Sequence, residues 1–133
     1  MSDLGMAGDF LFVYGTLRSS FTNPHARLLA QQATLRGPAR VRGRLYDLGE
    51  FPGMRVATAG EEWVRGELHE LRDEVILAEL DRYEGPEFLR QECIAITDGG
   101  FEVRAWVYGY TGELSEDQRI VSGDYLKSAI GGQ

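Results

Sequence analysis

The chain has 133 residues and a mass of 14.9 kDa, which fits one domain with a substantial core. Its 14 basic and 21 acidic side chains give a formal net charge of -7, and the basic ones form no cluster, so the composition argues against a nucleic-acid-binding protein. One cysteine excludes an intrachain disulfide, and two histidines offer little for a transition-metal site, so we expect neither a metal nor an organic cofactor.

The organisation of the chain is expected to be simple, with a flexible tail at residues 1–8 and a single domain at residues 9–130. The first residues lack a basic segment followed by a long apolar one, and no apolar run approaches the roughly 20 residues of a membrane helix. We therefore expect a cytoplasmic protein without a membrane partner. The sequence makes no prediction of the oligomeric state.

The first predicted elements are a strand and a short helix. Large apolar and aromatic residues run through 9–14, and Gly15 and Thr16 end that strand. In the segment NPHARLLAQQ, Asn23 has the side chain of a helix N-cap, and Pro24 then occupies the first helical position.

Three further strands are predicted at residues 39–49, 53–60 and 61–71. The segment GEFPG provides the first turn, and Gly60 provides the second. Phe51 and Pro52 in the first turn either form the wall of a pocket or pack on the sheet.

A second helix is predicted at residues 73–84, and it carries the clearest helical pattern in the chain. Asp73 is suited to the N-cap position, and Gly85-Pro86 ends the helix. Four side chains have helical spacing and predict one inward face: Ile76, Leu77, Leu80 and Tyr83.

The remaining segments predict a hairpin and a short C-terminal turn of helix. The strands 92–97 and 101–110 flank DGG, and residues 122–130 are compatible with one helical turn. About six or seven strands and two helices, mostly connected as hairpins, predict an α+β domain in which an antiparallel sheet curls into a small barrel.

One carboxylate of the second helix, that of Glu84, falls within the apolar face at about 100° per residue. A buried carboxylate needs a partner, or its pKa rises. Either Glu84 accepts hydrogen bonds from the backbone or pairs with Arg90, or it serves as a general base near neutral pH. The helical pattern alone leaves both open.

The end of the first strand also has two interpretations. Gly15 and Thr16 are suited to a loop that points several backbone N–H groups at one anion, and they are equally suited to an ordinary β-turn.

Several segments resemble those of the gamma-glutamylcyclotransferase-like family, and within it the gamma-glutamylamine cyclotransferase type. In chain order the matching segments are VYGTLR (13–18), Asn23 with His25, GRLYDLGEFPGM (43–54), VRGELHEL (64–71), LDRYEG (80–85) and SGDYL (122–126). The resemblance implies a small mixed, mostly antiparallel β-barrel flanked by two helices, with a pocket at the barrel mouth.

The resemblance also implies the residues of the site. Glu84 matches the catalytic acid/base of the family, and Tyr14, Gly15, Thr16 and Leu17 match its substrate-binding loop. No metal or cofactor is implied.

The implied reaction is a cyclotransfer on a small-molecule gamma-glutamyl amine or peptide. The α-amine of the substrate attacks its own γ-carbonyl, which releases 5-oxoproline and the free amine, an acyl-transfer or lyase reaction. Two alternatives remain: a non-catalytic small-molecule binding or regulatory module of the same fold, and removal of a gamma-glutamyl protecting group in a biosynthetic pathway.

Four other residues carry side chains that catalysis or binding can use. We expect His69 to be a strand residue without a catalytic role, Cys93 to be a small core residue, and Tyr108 to line the core or the pocket. Arg90 either binds a substrate carboxylate or pairs with Glu84 or with a surface acid.

Overall fold

A computed structural model describes residues 10–127 of the chain. The two helices are α1 (Pro24–Gln32) and α2 (Val75–Glu84), and the six strands are β1 (Phe10–Val13), β2 (Ala33–Asp47), β3 (Pro52–Val56), β4 (Trp63–Leu71), β5 (Phe88–Thr97) and β6 (Glu102–Tyr110). A short 3-10 helix, Glu116–Gln118, follows. The expected tail, at 1–8, lies outside the described residues, as do the last residues of the expected C-terminal helical turn.

Five of the strands form a closed barrel in the order β2-β4-β1-β6-β5, with β5 returning to β2. The sixth strand, β3, pairs with the end of β2. The pairing of β1 with β6 is parallel, and the other described pairings are antiparallel. This arrangement confirms the predicted α+β fold, a small mixed and mostly antiparallel barrel with two helices beside it.

Strand β1 is buried on both faces, which explains its unbroken apolar sequence. Phe12 lies in the core inside the barrel. Leu11 and Val13 lie on the outer face, in a second apolar cluster that includes Leu29 of α1 and Leu80 of α2. The two helices therefore cover the outside of the barrel next to β1.

Several element boundaries differ from the prediction. Strand β2 begins at Ala33, directly after α1, instead of at residue 39, and its register with β4 shifts between Leu35 and Gly37. Helix α2 begins at Val75 and not after an N-cap at Asp73. The Asp73 carboxylate nevertheless accepts a hydrogen bond from the Val75 N–H at 2.9 Å, so it still binds an amide of the first turn.

Strand β5 is longer than predicted because it begins at Phe88 and not at residue 92. Its first residues pair with the end of β6, where Phe88 lies opposite Tyr110. The predicted hairpin turn at residues 98–100 is present, with Gly100 at φ 91°. Within residues 10–127, neither helix has the length and hydrophobicity needed to span a lipid bilayer.

Candidate active site

A cavity lies at one mouth of the barrel, where the end of β1, the β2–β3 turn, the end of α2 and the start of β5 meet. Its volume is about 160 Å³. Twelve residues line it: Phe12, Val13, Tyr14, Gly15, Thr16, Leu17, Phe51, Pro52, Tyr83, Glu84, Phe88 and Tyr108. All five residues that the family resemblance implied, Glu84 and the loop 14–17, are thus brought to one cavity.

Glu84 is the last residue of α2, and local backbone geometry places it at the cavity. Gly85 follows with φ 85°, a conformation that favours glycine, so the chain turns away directly after Glu84. Leu80 and Leu77, one and two turns earlier, are buried and fix the rotation of the helix. The helical pattern therefore predicted correctly that Glu84 faces inward.

The Glu84 carboxylate is half-buried and forms no hydrogen bond or ion pair with any other residue in the described range 10–127. Burial without compensation raises its pKa from 4.5 to about 7. Near neutral pH the group is therefore present in both its protonated and its ionised form, as a carboxyl that accepts and returns a proton must be.

Arg90 does not pair with Glu84, and no backbone N–H within residues 10–127 donates to this carboxylate, so both structural alternatives for it are wrong. Its guanidinium binds the Asp81 carboxylate at 2.9 and 3.3 Å and lies over the ring of Trp106. Arg90 therefore pairs with a surface acid, the third of its predicted roles. Burial raises the pKa of Asp81, but the hydrogen bonds from Tyr108 and Arg90, together with the charge of Arg90, outweigh it, so the pKa lies below its ordinary value.

Two tyrosines shape the inner part of the cavity. The Tyr14 hydroxyl donates to the Tyr108 carbonyl at 2.6 Å and accepts from the Met54 N–H at 3.2 Å. The Tyr108 hydroxyl donates to Asp81 at 2.7 Å. Burial raises the pKa of both phenols far above neutrality, and the charge of Glu84 adds to the effect. Both phenols therefore stay neutral and hold the cavity wall in place.

The loop after β1 lines the cavity. The Arg18 N–H binds the Gly15 carbonyl at 3.1 Å and closes a β-turn, and the Leu17 side chain is buried beneath it. The amide N–H groups of Gly15, Thr16 and Leu17 donate no hydrogen bond to another residue within 10–127. The turn interpretation and the anion-binding interpretation of this loop are therefore compatible.

Asn23 connects this loop to α1. Its Oδ1 accepts from the Ala26 N–H at 2.8 Å, which confirms the predicted N-cap, and its Nδ2 donates to the Thr16 carbonyl at 2.7 Å. Because one side chain makes both contacts, the start of the helix fixes the backbone of Thr16.

Glu67 holds the far side of the same loop from strand β4. Its two carboxylate oxygens accept from the Ser19 N–H and the Ser19 hydroxyl, both at 2.8 Å. His69 contacts the same carboxylate at 3.3 Å. Burial raises the pKa of Glu67, but hydrogen bonds from His69 and Ser19 outweigh it, so the pKa lies below its ordinary value. His69, 2% exposed, is not among the residues that line the cavity, and it contacts Glu67, which in turn binds the loop.

Gly15 has a packing reason to be glycine that sequence reasoning did not find. A Cβ at this position would lie 2.7 Å from Cγ of Pro52 and 3.0 Å from Cδ. The β2–β3 turn therefore closes directly onto the loop after β1. Pro52 and Phe51 lie in the cavity wall, one of the two roles open for them in the sequence.

The positions of three further side chains can be compared with the roles predicted for them from the sequence. Tyr83, expected to face inward, is 38% exposed, lies at the cavity and stacks on His25 at 4.1 Å. Cys93 is buried inside the barrel, which confirms that it is a core residue. Burial raises the pKa of its thiol to about 12. Phe88 was not predicted as a site residue, because it follows the Gly85-Pro86 stop outside any recognised element.

The sequence is similar to that of known proteins. A sequence profile of the family described as "Gamma-glutamyl cyclotransferase, AIG2-like" matches residues 11–127. The chain is 33% identical over 116 residues to "Putative gamma-glutamylcyclotransferase YkqA" of Bacillus subtilis, a match that covers 86% of this chain and 40% of that protein. It is 32% identical over 119 residues to "Putative gamma-glutamylcyclotransferase MJ1514" of Methanocaldococcus jannaschii, with coverage of 88% and 95%.

The fold is also similar to solved structures. The crystal structure of YkqA superposes with a TM-score of 0.72 at 28% identity, over 94% of this chain and 43% of that chain. This chain thus spans less than half of the Bacillus protein and nearly all of the Methanocaldococcus protein.

Proposed function

Since this chain belongs to the gamma-glutamyl cyclotransferase, AIG2-like family, we propose that it converts a gamma-glutamyl amine or peptide into 5-oxoproline and the free amine. The observation that carries the proposal is the Glu84 carboxylate, which is half-buried at the cavity, has no partner within residues 10–127 and has a pKa raised to about 7. A carboxyl with these properties is suited to proton transfer at neutral pH.

Glu84 acts twice in the proposed reaction. Its carboxylate takes a proton from the substrate α-ammonium, and the free amine then attacks the γ-carbonyl carbon. The bond between this nitrogen and the γ-carbon forms, and the bond from the γ-carbon to the leaving nitrogen breaks. The protonated Glu84 returns its proton to that leaving nitrogen, so the carboxylate is regenerated. The new ring nitrogen loses its second proton to the expelled amine or to solvent, which leaves the neutral lactam of 5-oxoproline. No cofactor is required, because the substrate supplies the nucleophile.

The loop after β1 supplies the anion-binding half of the proposed site. The N–H groups of Gly15, Thr16 and Leu17 are available at the cavity and bind the α-carboxylate of the substrate or the oxyanion that forms at the γ-carbonyl. Tyr14 contributes its ring to the wall, since its hydroxyl is already bonded within the protein. We place the reaction in the cytoplasm, where the unpaired Cys93 stays reduced.

The test measures 5-oxoproline release from a panel of gamma-glutamyl amides by the wild type and by Glu84→Gln. Glutamine keeps the size of the side chain and removes proton transfer, so we expect kcat to fall by about 10²–10⁴. Glu74→Gln is the matched control, since Glu74 is an exposed acid at the other end of the same helix.

Two results would contradict the proposal. Full turnover by a folded Glu84→Gln variant refutes the role of Glu84. Saturable binding of the panel to the wild type without release of 5-oxoproline refutes catalysis and identifies a binding module. Unchanged thermal unfolding of both variants is the control for folding.

A further inference from the structure

The mouth of the cavity differs in chemistry from its inner part. Two aromatic side chains flank the opening, Phe51 from the β2–β3 turn and Phe88 from the start of β5. Their ring centroids are 6.0 Å apart with planes at 56°. Tyr110, at the end of β6, supports Phe88 with an edge contact at 5.2 Å. We call Phe51 and Phe88, with Tyr110 behind them, the aromatic rim.

Part of the apolar surface of the aromatic rim is exposed to solvent and is not buried by packing within the protein. Phe51 is 41% exposed, and Phe88 is half-buried. The two rings nevertheless contact each other in the tilted geometry that aromatic pairs prefer. Exposed aromatic surface beside a polar cavity is a common property of ligand-binding sites. A ligand group that covers these rings would gain the free energy of removing them from water.

The described part of the chain places no cation at the aromatic rim. Within residues 10–127, no lysine, arginine or histidine is among the residues that line the cavity. Two nearby guanidinium groups are already bonded: Arg90 to Asp81, and Arg55 to the carbonyls of Tyr110 and Gly112. A ligand carboxylate at the rim would therefore lose its hydration without an ionic partner, and it would lie in the same cavity as the Glu84 carboxylate.

The size of the cavity decides which part of a substrate reaches the rim. The cavity volume, about 160 Å³, is close to that of a protein cavity of about 150 Å³ that accommodates benzene. One glutamyl group held between Glu84 and the amides of Gly15–Leu17 fills this space. The amine portion of the substrate must then extend to the mouth, between Phe51 and Phe88.

We propose that the aromatic rim is the leaving-group subsite and that it selects apolar, above all aromatic, amines that carry no carboxylate. This inference rests on the proposed cyclotransfer, and it adds the substrate class. The bond that breaks is the same in every substrate, so the selection acts through binding of the amine portion at Phe51 and Phe88.

Three substrates isolate the two features of this selection. The gamma-glutamyl amide of phenethylamine has the ring and no carboxylate, gamma-glutamylphenylalanine adds one carboxylate, and the gamma-glutamyl amide of ethylamine lacks the ring. We expect kcat/KM for the phenethyl amide to exceed that for each of the other two by about tenfold or more, the effect of burying part of one aromatic ring or of leaving one buried charge unpaired.

Variants of the rim connect this preference to the two rings. Phe51→Ala and Phe88→Ala should each reduce the ratio of kcat/KM for the phenethyl amide over the ethyl amide by about threefold or more. Phe88→Leu, which retains apolar volume, replaces Phe88→Ala if that variant unfolds. Phe101→Ala is the matched control, since Phe101 is 72% exposed after the hairpin turn at the other end of β5 and should not alter the ratio.

The outcomes separate this inference from the proposed function. Equal kcat/KM values for the three substrates, or preference for gamma-glutamylphenylalanine, refute the inference and leave the cyclotransfer standing. A preference that survives in both rim variants also refutes it, because the rings then do not cause it. No 5-oxoproline from any substrate refutes the proposed function and the inference with it.

Discussion

Glu84 should destabilise the folded protein near neutral pH, and Glu84→Gln should reveal this cost. Burial raises the pKa of Glu84 from 4.5 to about 7. Between these values the folded state holds a proton that the unfolded chain has released, so this group makes the free energy of unfolding fall as the pH rises. The effect is absent below pH 4.5 and complete above pH 7. The difference between the two pKa values corresponds to about 3 kcal/mol.

Urea unfolding of the wild type and Glu84→Gln at pH 4 and pH 8 measures this effect. Glutamine does not titrate, so the variant should gain up to about 3 kcal/mol relative to the wild type between the two pH values. Contributions from altered packing appear at both pH values and cancel in this comparison. Glu74→Gln should show no such change, because Glu74 is exposed. A difference between wild type and Glu84→Gln that is independent of pH would show that the carboxylate is not buried without a partner.

Three further predictions concern the pH profile and the loop after β1. The wild-type kcat/KM should rise through a midpoint near pH 7 as Glu84 ionises, whereas a midpoint near 4.5 would contradict its burial. Gly15→Ala should reduce stability by about 1–3 kcal/mol and also reduce kcat/KM, because its Cβ overlaps Pro52; an unchanged melting curve would disprove this contact. Asn23→Ala should cost about 1 kcal/mol through loss of the cap and should raise KM. Asn23→Asp keeps the acceptor and loses the bond to the Thr16 carbonyl, so a KM equal to that of the wild type would exclude a role for this bond.

The periodic parts of the fold could be predicted from the sequence because they depend on local patterns. The cap at Asn23 and the inward direction of Glu84 follow from residue type and helical spacing, and both are present. The first part of β2 was missed because Gly37 and Pro38 interrupt its pattern, and a strand at this position depends on pairing with β4, whose residues lie about 30 positions further along.

The partners of the site residues could not be predicted, because each is a contact between segments far apart in the chain. Arg90 was equally suited to Glu84 and to a surface acid until the barrel placed Asp81 beside it. The contact of Gly15 with Pro52 joins two loops that no local pattern relates. Family resemblance indicated which residues meet at the cavity, and the structure adds that Glu84 has no partner there among residues 10–127.

The pairing of β1 has a consequence for when the site can form during synthesis. Strand β1 leaves the ribosome before the other five described strands, but its two neighbours come from later in the chain, with Phe10 opposite Glu70 and Leu11 opposite Trp106. Such distant pairings form late, after the entropy of closing long loops has been overcome. We therefore expect the loop at Gly15–Leu17 to take its final shape only after β6 has emerged, because the cavity that this loop lines also requires Tyr108 of β6.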